Sequence, residues 1–300
     1  MHYTEASEKR FANVRPFLRW AGSKRRLLKH LVPLIPGQFG KYYEPFLGGG
    51  SLFFFLCPER AEISDASASL MDIYRAIKRD PEGVLEFLRP LRPSRSAFEK
   101  IKEMTPASDA EKGGSFIFLN RACWNGLYRV NSDGKFNVPY GWPKTNHLID
   151  ADNLRRCAKQ LRRRSVSLRH QDFEEISKRV EKNDFVFFDP PYVTSHNMNG
   201  FVDWNEDLFS WKDQIRLAEL TQLLIYKGAN VLVTNADHRD VRDLYRGIHY
   251  RQITRISTLA ADKTRRTKTS EAIFVGGPAF AEVQGTRRDS YADTGNCRAD

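Results

Sequence analysis

Val186, Phe187 and Phe188 form an unbroken apolar run that ends at Asp189, followed by two prolines and Tyr192. A run that is apolar at every position fits a strand covered on both faces, as in a parallel sheet flanked by helices. Prolines at 190 and 191 cannot continue the ladder, so the strand stops and Asp189 falls at its carboxyl end. Open α/β sheets bind their ligands at that end.

Other short β-rich runs alternate with helical patterns along the chain: KYYEPF, AEISDA, ANVLVTN and EAIFVGG. The alternation predicts parallel strands joined by crossover helices. Between them, residues 76–165 read as a mostly helical insertion with Pro, Ser and Gly breaks, closing in the turn-rich NGLYRVNSDGKFNVPYGW. Its YRVN and KFNVPY runs flank an Asp-Gly turn signal, which predicts a basic β-hairpin. Just beyond, Leu154 to His170 carries seven Arg or Lys residues, with Leu154, Cys157, Ala158 and Leu161 spaced as one helix face. Those cations fit a solvated helix or a phosphate contact equally well. A further helix is expected to start at Ser210, capped with Asp213.

The 300 residues suffice for one large α/β domain with an insertion, or for two ordinary domains. Lys plus Arg exceed Asp plus Glu by 48 to 37, and the net charge of +11 favours a polyanionic partner such as nucleic acid. Cys57, Cys123, Cys157 and Cys297 are too far apart for a CxxC metal pair, so no metal is expected and a reducing cytoplasm is the simplest compartment. No eighteen-residue apolar run or signal-peptide stretch occurs, which sets membrane and secretory readings aside. Residues 1–14 and 281–300 read as polar, disordered tails.

Three segments carry chemistry. In YYEPFLGGGSLFFF a strand runs into Gly48, Gly49 and Gly50 and then into a helix, an arrangement that lets a ligand approach backbone N–H groups. Asp65, near the end of the next strand, stands where an acid holds ribose hydroxyls. A dinucleotide fold would need glycine where Phe53 stands. In FLRWAGSKRRLL, Lys24 opens a helix, where its charge opposes the dipole and a carboxylate ligand would offset that cost. A surface lysine beside a core Trp20 is the plainer reading of that segment alone. The third is DPPY itself: a carboxylate, the Pro190 carbonyl and the Tyr192 ring suit a planar group bearing an amino substituent, although a rigid turn with a capping Asp has the same residues.

Taken together, the chain resembles the Dam-like family of D12-class (alpha-group) DNA adenine-N6 methyltransferases. FLRWAGSK resembles the family's FLxWxGGK, YYEPFLGGGSLFF its EPFxGxGxxF cofactor loop, and DPPY is identical. FLNRACWNGLYRVNSDGKFNVPYG is similar to its LNRxxxNGLxRxNxxGxFNVPxG, and the likeness runs from about Phe17 to Val275. The resemblance implies a Rossmann-like class I methyltransferase sheet, built from 1–75 and 166–280, with 76–165 inserted as a target-recognition domain carrying the hairpin.

It also implies S-adenosylmethionine as cofactor, held by Trp20, Lys24, Phe46, Gly48, Gly50 and Asp65. Asp172 and Phe173 would meet the cofactor's adenine, and Asp189 would border it. Asp189, Pro190, Pro191 and Tyr192 would hold a flipped adenine for methylation. Trp124, Asn125, Leu127, Arg129 and Pro139 would face double-stranded DNA, with Arg129 reading guanine and Leu127 wedging between bases. Apart from the resemblance, Arg265, Arg266 and Lys268 in DKTRRTKTSEAIFV suit contact with phosphate, although an ordinary solvated turn has the same residues. The loop Val193 to Asp207, with Phe201, would close over the base. Family likeness further implies a prokaryotic or phage origin, GATC as a natural target and a cognate restriction endonuclease as a partner. Ser23 in the first motif and the third glycine, Gly49, depart from the family pattern. Cytosine-N4 methylation uses closely similar motifs and stays open here, as do a non-catalytic DNA-binding relative and a nucleotide-dependent oxidoreductase.

Overall fold

The computed structural model describes residues 14–20, 22–131, 135–192, 209–256 and 268–281. Seven strands form one sheet in the order β3-β2-β1-β4-β5-β7-β6: β1 Tyr42–Glu44, β2 Ala61–Asp65, β3 Val166–His170, β4 Phe185–Phe188, β5 Asn230–Ala236, β6 His249–Ile256 and β7 Lys268–Gly276. Among the described residues the α-helices are α1 Leu28–Leu31, α2 Ser51–Leu56, α3 Ala68–Arg79, α4 Pro81–Leu88, α5 Arg95–Glu103, α6 Asp109–Ala122, α7 Ala151–Leu161, α8 Trp211–Tyr226 and α9 Arg239–Leu244. The architecture is mixed α/β, consistent with a methyltransferase fold. Two units divide the chain: Met1–Pro33 with Glu44–Asp172, and Leu34–Tyr43 with Phe173–Asp300.

In the first unit β2 and β3 run parallel, in register from Ala61 opposite Val166 to Asp65 opposite His170. Helix α3 starts at Ser67, whose hydroxyl accepts the Leu70 N–H, and buries Leu70, Met71, Ile73, Tyr74, Ala76 and Ile77. Gly113 and Gly114 lie inside α6. A Cβ at Gly114 would come 2.3 Å from the Phe87 ring, so the residue is glycine because α6 needs that closeness.

Helix α7 buries Leu154, Cys157, Ala158 and Leu161, the face read from the sequence. It stops at Leu161, and the tail of the basic segment is the edge strand β3 rather than more helix. The alternation of VSLRH, period two, is what the dense run of arginines hides. Several of those cations are committed within the protein. Arg155 pairs with Glu82 at 2.8 Å, and Arg162 donates to the carbonyls of Lys78 and Arg79 at the end of α3. Arg163 donates to the carbonyls of Cys57 and Pro58 just after α2. Guanidinium groups at helix carboxyl ends satisfy orphan carbonyls and meet the negative end of the dipole.

In the second unit β1, β4 and β5 are parallel, with Tyr42 opposite Phe185 and Phe188 opposite Val233. All four residues of β4 are buried, as its apolar run requires. Helix α8 opens with the expected capping box, in which Ser210 and Asp213 bond each other's backbone N–H. One expectation is overturned: EAIFVGG, read as another parallel strand, is antiparallel to both neighbours, inserted between β5 and β6. Strand β6, too polar to stand out in the sequence, ends at Ile256, and the eleven positions before Lys268 are fewer than the dozen or so that a parallel crossover needs.

The predicted tails apart from Val14 and Ala281, the Asp-Gly turn at 132–134, the loop at 193–207 with Phe201, and Arg265 and Arg266 fall outside the described residues. Among the described residues no helix is long and apolar enough to cross a membrane.

Candidate active site

After β1, residues Pro45 to Gly50 turn the chain into α2. Gly48 and Gly50 adopt φ of 46° and 64°, the left-handed region that side chains resist. At Gly48 space forbids a side chain as well, since a Cβ would lie 2.7 Å from the Trp20 ring. Trp20 therefore lies directly over the loop. Three further bonds fix it: the Gly48 N–H donates to Asp65 Oδ2 at 3.0 Å, Tyr74 donates to the Gly48 carbonyl at 2.9 Å, and Glu44 accepts the Phe53 N–H at 3.1 Å. Phe46 lies within the turn, half-buried.

Asp65 closes the far side. Its Oδ1 accepts the Ser67 N–H at 3.0 Å, so one carboxylate ties the glycine loop to the start of α3. Burial raises its pKa above the usual aspartate value, more than the N–H donors of Gly48 and Ser67 and the charge of His170 lower it. Lys24 is buried at 5% exposure, not on the surface, and its ammonium donates to the Gly22 carbonyl at 2.8 Å. Ser23, the departure in that motif, is tied to the first residue of α2 by a 2.9 Å bond between its hydroxyl and that of Ser51.

In the second unit, Asp189 follows β4 directly. Thr234 on β5 donates its hydroxyl to Asp189 Oδ1 at 2.7 Å. Pro190 is buried, and the Pro191 carbonyl accepts a 3.4 Å bond from Gln214. Tyr192 donates to Glu271 Oε2 on β7 at 2.9 Å. Burial, with Asp189 and Glu271 nearby, holds the Tyr192 phenol far above its ordinary pKa, so it stays protonated. Phe173 is buried against Phe209, with the Arg216 guanidinium 4.7 Å from its ring centre. Asp172, just before it, is exposed.

The family model for D12 class N6 adenine-specific DNA methyltransferases matches residues 20–259. A type II methyltransferase of Lactococcus lactis subsp. cremoris is 33% identical over 274 residues, covering 89% of this chain and 96% of the relative. One of Methanocaldococcus jannaschii is 34% identical over 264 residues, covering 80% and 91%. A DNA adenine methylase of Haemophilus influenzae is 28% identical over 271 residues, covering 88% and 94%. The chain belongs to the D12 class N6 adenine-specific DNA methyltransferases.

The choice that DPPY left open, adenine N6 over cytosine N4, falls to adenine, and the oxidoreductase and non-catalytic readings give way to an adenine-specific DNA methyltransferase. Of the residues expected to face DNA, Trp124 is 50% exposed, Asn125 and Arg129 are exposed and Leu127 is half-buried. Asn125 and Gly126 take φ of 53° and 66°, forming a tight turn. The Pro139 carbonyl accepts the Trp124 N–H at 2.9 Å, and isolated antiparallel bridges join Cys123 to Tyr140 and Val130 to Phe136. Arg129 lies back on its own segment, donating to the Asn137 carbonyl at 2.8 Å through Nη2. It borders a cavity of about 390 Å³ with Arg95, Lys102, Tyr140 and Trp142.

Sequence reading missed several residues of this methyltransferase. Asn120, 1% exposed, accepts the Arg19 N–H and donates to the carbonyls of Arg19 and Gly126, fastening the first motif to the Asn-Gly turn. Tyr128 stacks on Trp20 with ring centres 5.8 Å apart, and shares a 2.9 Å hydroxyl bond with Ser69. Thr234 and Glu271 were missed as well. The one signal available was a polar residue standing where its neighbours are buried, as in LNR and VLVTN.

Proposed function

We propose that this methyltransferase uses S-adenosylmethionine, held by Trp20, Lys24, the turn from Phe46 through Gly48 to Gly50, and Asp65, with Asp172 and Phe173 serving its adenine. The chemistry of the donor set supports the fit: a carboxylate at the end of β2 suits a ribose diol, and a buried ammonium suits a carboxylate. When bound, the cofactor supplies a methyl already electrophilic on its sulfonium.

The second unit then treats the nucleophile. The adenine amine is a poor one, because its lone pair is delocalised into the ring. Asp189 and the Pro190 carbonyl accept its two N–H bonds and favour a pyramidal nitrogen with its lone pair available. The base is flipped from the duplex, and Tyr192 stacks on it, with Pro191 keeping the corner rigid. Stacking of this kind contributes about 1 to 3 kcal/mol per base, comparable to part of the unpairing cost. The observation that carries this reading is the corner after β4: a carboxylate and a phenol, each bonded to a side chain on β5 or β7, at the carboxyl end of a buried strand.

In the same proposal, residues 76–165 form the target-recognition domain. Trp124, Asn125, Leu127 and Pro139 face the duplex, Arg129 reads a guanine by bidentate bonding, and Arg265 and Arg266 contact phosphate. To reach a base, Arg129 must leave the Asn137 carbonyl, a bond that duplex binding replaces. GATC is the proposed site. The type II relatives favour a restriction-modification setting with a cognate endonuclease, in the cytoplasm of a prokaryotic or phage-infected cell. Single-molecule sequencing of DNA from cells expressing the protein tests the whole: N6-methyladenine in one short motif is expected, and its absence overturns the reading. Arg129→Ala should cost about 1 to 3 kcal/mol of discrimination at one guanine position, read from a randomised-site assay.

A further inference from the structure

The proposed corner is aimed by residues that belong to no motif of the chain. Strand β5 pairs with β4 in parallel, placing Val233 opposite Phe188, so Thr234 follows one step beyond the last residue of β4, as Asp189 does. On its other side β5 pairs with β7, placing Ala236 opposite Glu271. Residues two apart on a strand share a face, and directly paired residues share it too. Thr234, Ala236 and Glu271 therefore lie on one face of the sheet. From that face Thr234 Oγ1 reaches Asp189 Oδ1 at 2.7 Å and Glu271 Oε2 receives the Tyr192 hydroxyl at 2.9 Å. Thr234 is fully buried and Glu271 is 2% exposed, so neither bond is exchanged freely with water.

We propose that Thr234 and Glu271 are positioning residues for methyl transfer: Thr234 fixes the plane of the Asp189 carboxylate, and Glu271 fixes the Tyr192 ring that covers the base. This rests on the roles assigned above to Asp189 and Tyr192. A carboxylate turns about its terminal bond with little resistance, because that torsion is broad. A hydroxyl donor on a neighbouring strand removes that freedom, and the misplacement it prevents costs rate rather than affinity. The β-branched threonine is itself stiff at χ1, which makes it a better anchor than a flexible donor.

The test is steady-state methylation of a duplex substrate by the full chain. Thr234→Val, which replaces the hydroxyl with a methyl of similar size, is expected to lower kcat about 10- to 100-fold, with KM for DNA and for S-adenosylmethionine unchanged. Thr234→Ser, which keeps the donor, should restore most of the rate. Glu271→Leu should lower kcat in the same manner and Glu271→Gln, which keeps an acceptor, should recover it. Thermal melts of all four variants accompany the kinetics. If Thr234→Val unfolds, the serine and Glu271 pairs still decide the matter. Wild-type turnover by Thr234→Val, or equal losses in Thr234→Ser and Thr234→Val, overturns the inference alone. A wild-type chain that methylates DNA while Asp189→Ala does so equally well overturns the catalytic reading itself, and the inference with it.

Discussion

The glycine turn after β1 and the Asp-Pro-Pro-Tyr corner after β4 both follow short buried strands, yet they are held in opposite ways. The turn is held largely through its backbone: the N–H of Gly48 and of Phe53 reach carboxylates, and the Gly48 carbonyl receives a phenol. The corner is held mainly through side chains, with Thr234 on Asp189 and Glu271 on Tyr192, and with prolines stiffening the chain between. A backbone-held turn is vulnerable to any added side chain, whereas a side-chain-held corner is vulnerable to any lost one. Each region therefore has its own way of failing.

The largest expected effect is at the corner. Asp189→Ala should lower methyl transfer on the order of 10³-fold while duplex binding survives, read by tritium transfer beside a filter-binding assay. Retained turnover would break the contrast, since the corner would then not depend on its carboxylate.

Gly48→Ala comes next and attacks the turn by addition. The new Cβ meets Trp20 at 2.7 Å in a left-handed backbone, so a loss of about 1 to 3 kcal/mol of stability is expected, together with weaker binding of S-adenosylmethionine, both measured by thermal melts with and without the cofactor. The same substitution at a backbone position of the corner has no counterpart, because prolines already occupy it.

The smallest effect is one of pH. Burial raises the pKa of Asp65, so its carboxylate takes up a proton before an ordinary aspartate would as the solution is acidified. The sign follows from linkage: a group whose folded pKa is raised favours the folded state below its unfolded pKa, and that contribution is lost as pH rises through the folded value. Acidification should therefore weaken cofactor binding, by removing the charged acceptor, in a range where Asp65 does not weaken the fold. Calorimetric titration with S-adenosylmethionine across pH 4 to 7, roughly the window above the ordinary aspartate value, checks it, and Asp65→Asn should flatten the dependence.

The two regions were also unequally legible. The turn and the corner could both be found from local signals: glycines between a strand and a helix, and an acid before two prolines after an apolar run. Their supports could not. Thr234 lies 45 residues from Asp189, Glu271 lies 79 from Tyr192, and Asn120 lies 101 from Arg19. The direction of β7 was equally hidden, because an apolar strand reads the same whether its neighbours run with it or against it. The arginines of 155–169 fitted a solvated helix and a phosphate contact equally well, and the sequence did not show that Arg162 and Arg163 reach carbonyls at the end of α3 and just after α2.

By itself the sequence determined the alternating α/β plan, the strand that must end at Asp189, the glycine turn and the family to which the chain belongs. These are properties of consecutive residues, governed by periodicity, by φ at glycine and by the missing N–H of proline. Tertiary structure alone decided that β7 runs antiparallel, that Lys24 is buried, and that Thr234 and Glu271 reach Asp189 and Tyr192. Those facts depend on which strands become neighbours, and pairing between strands is set by burial across the whole sheet rather than by any one stretch of chain.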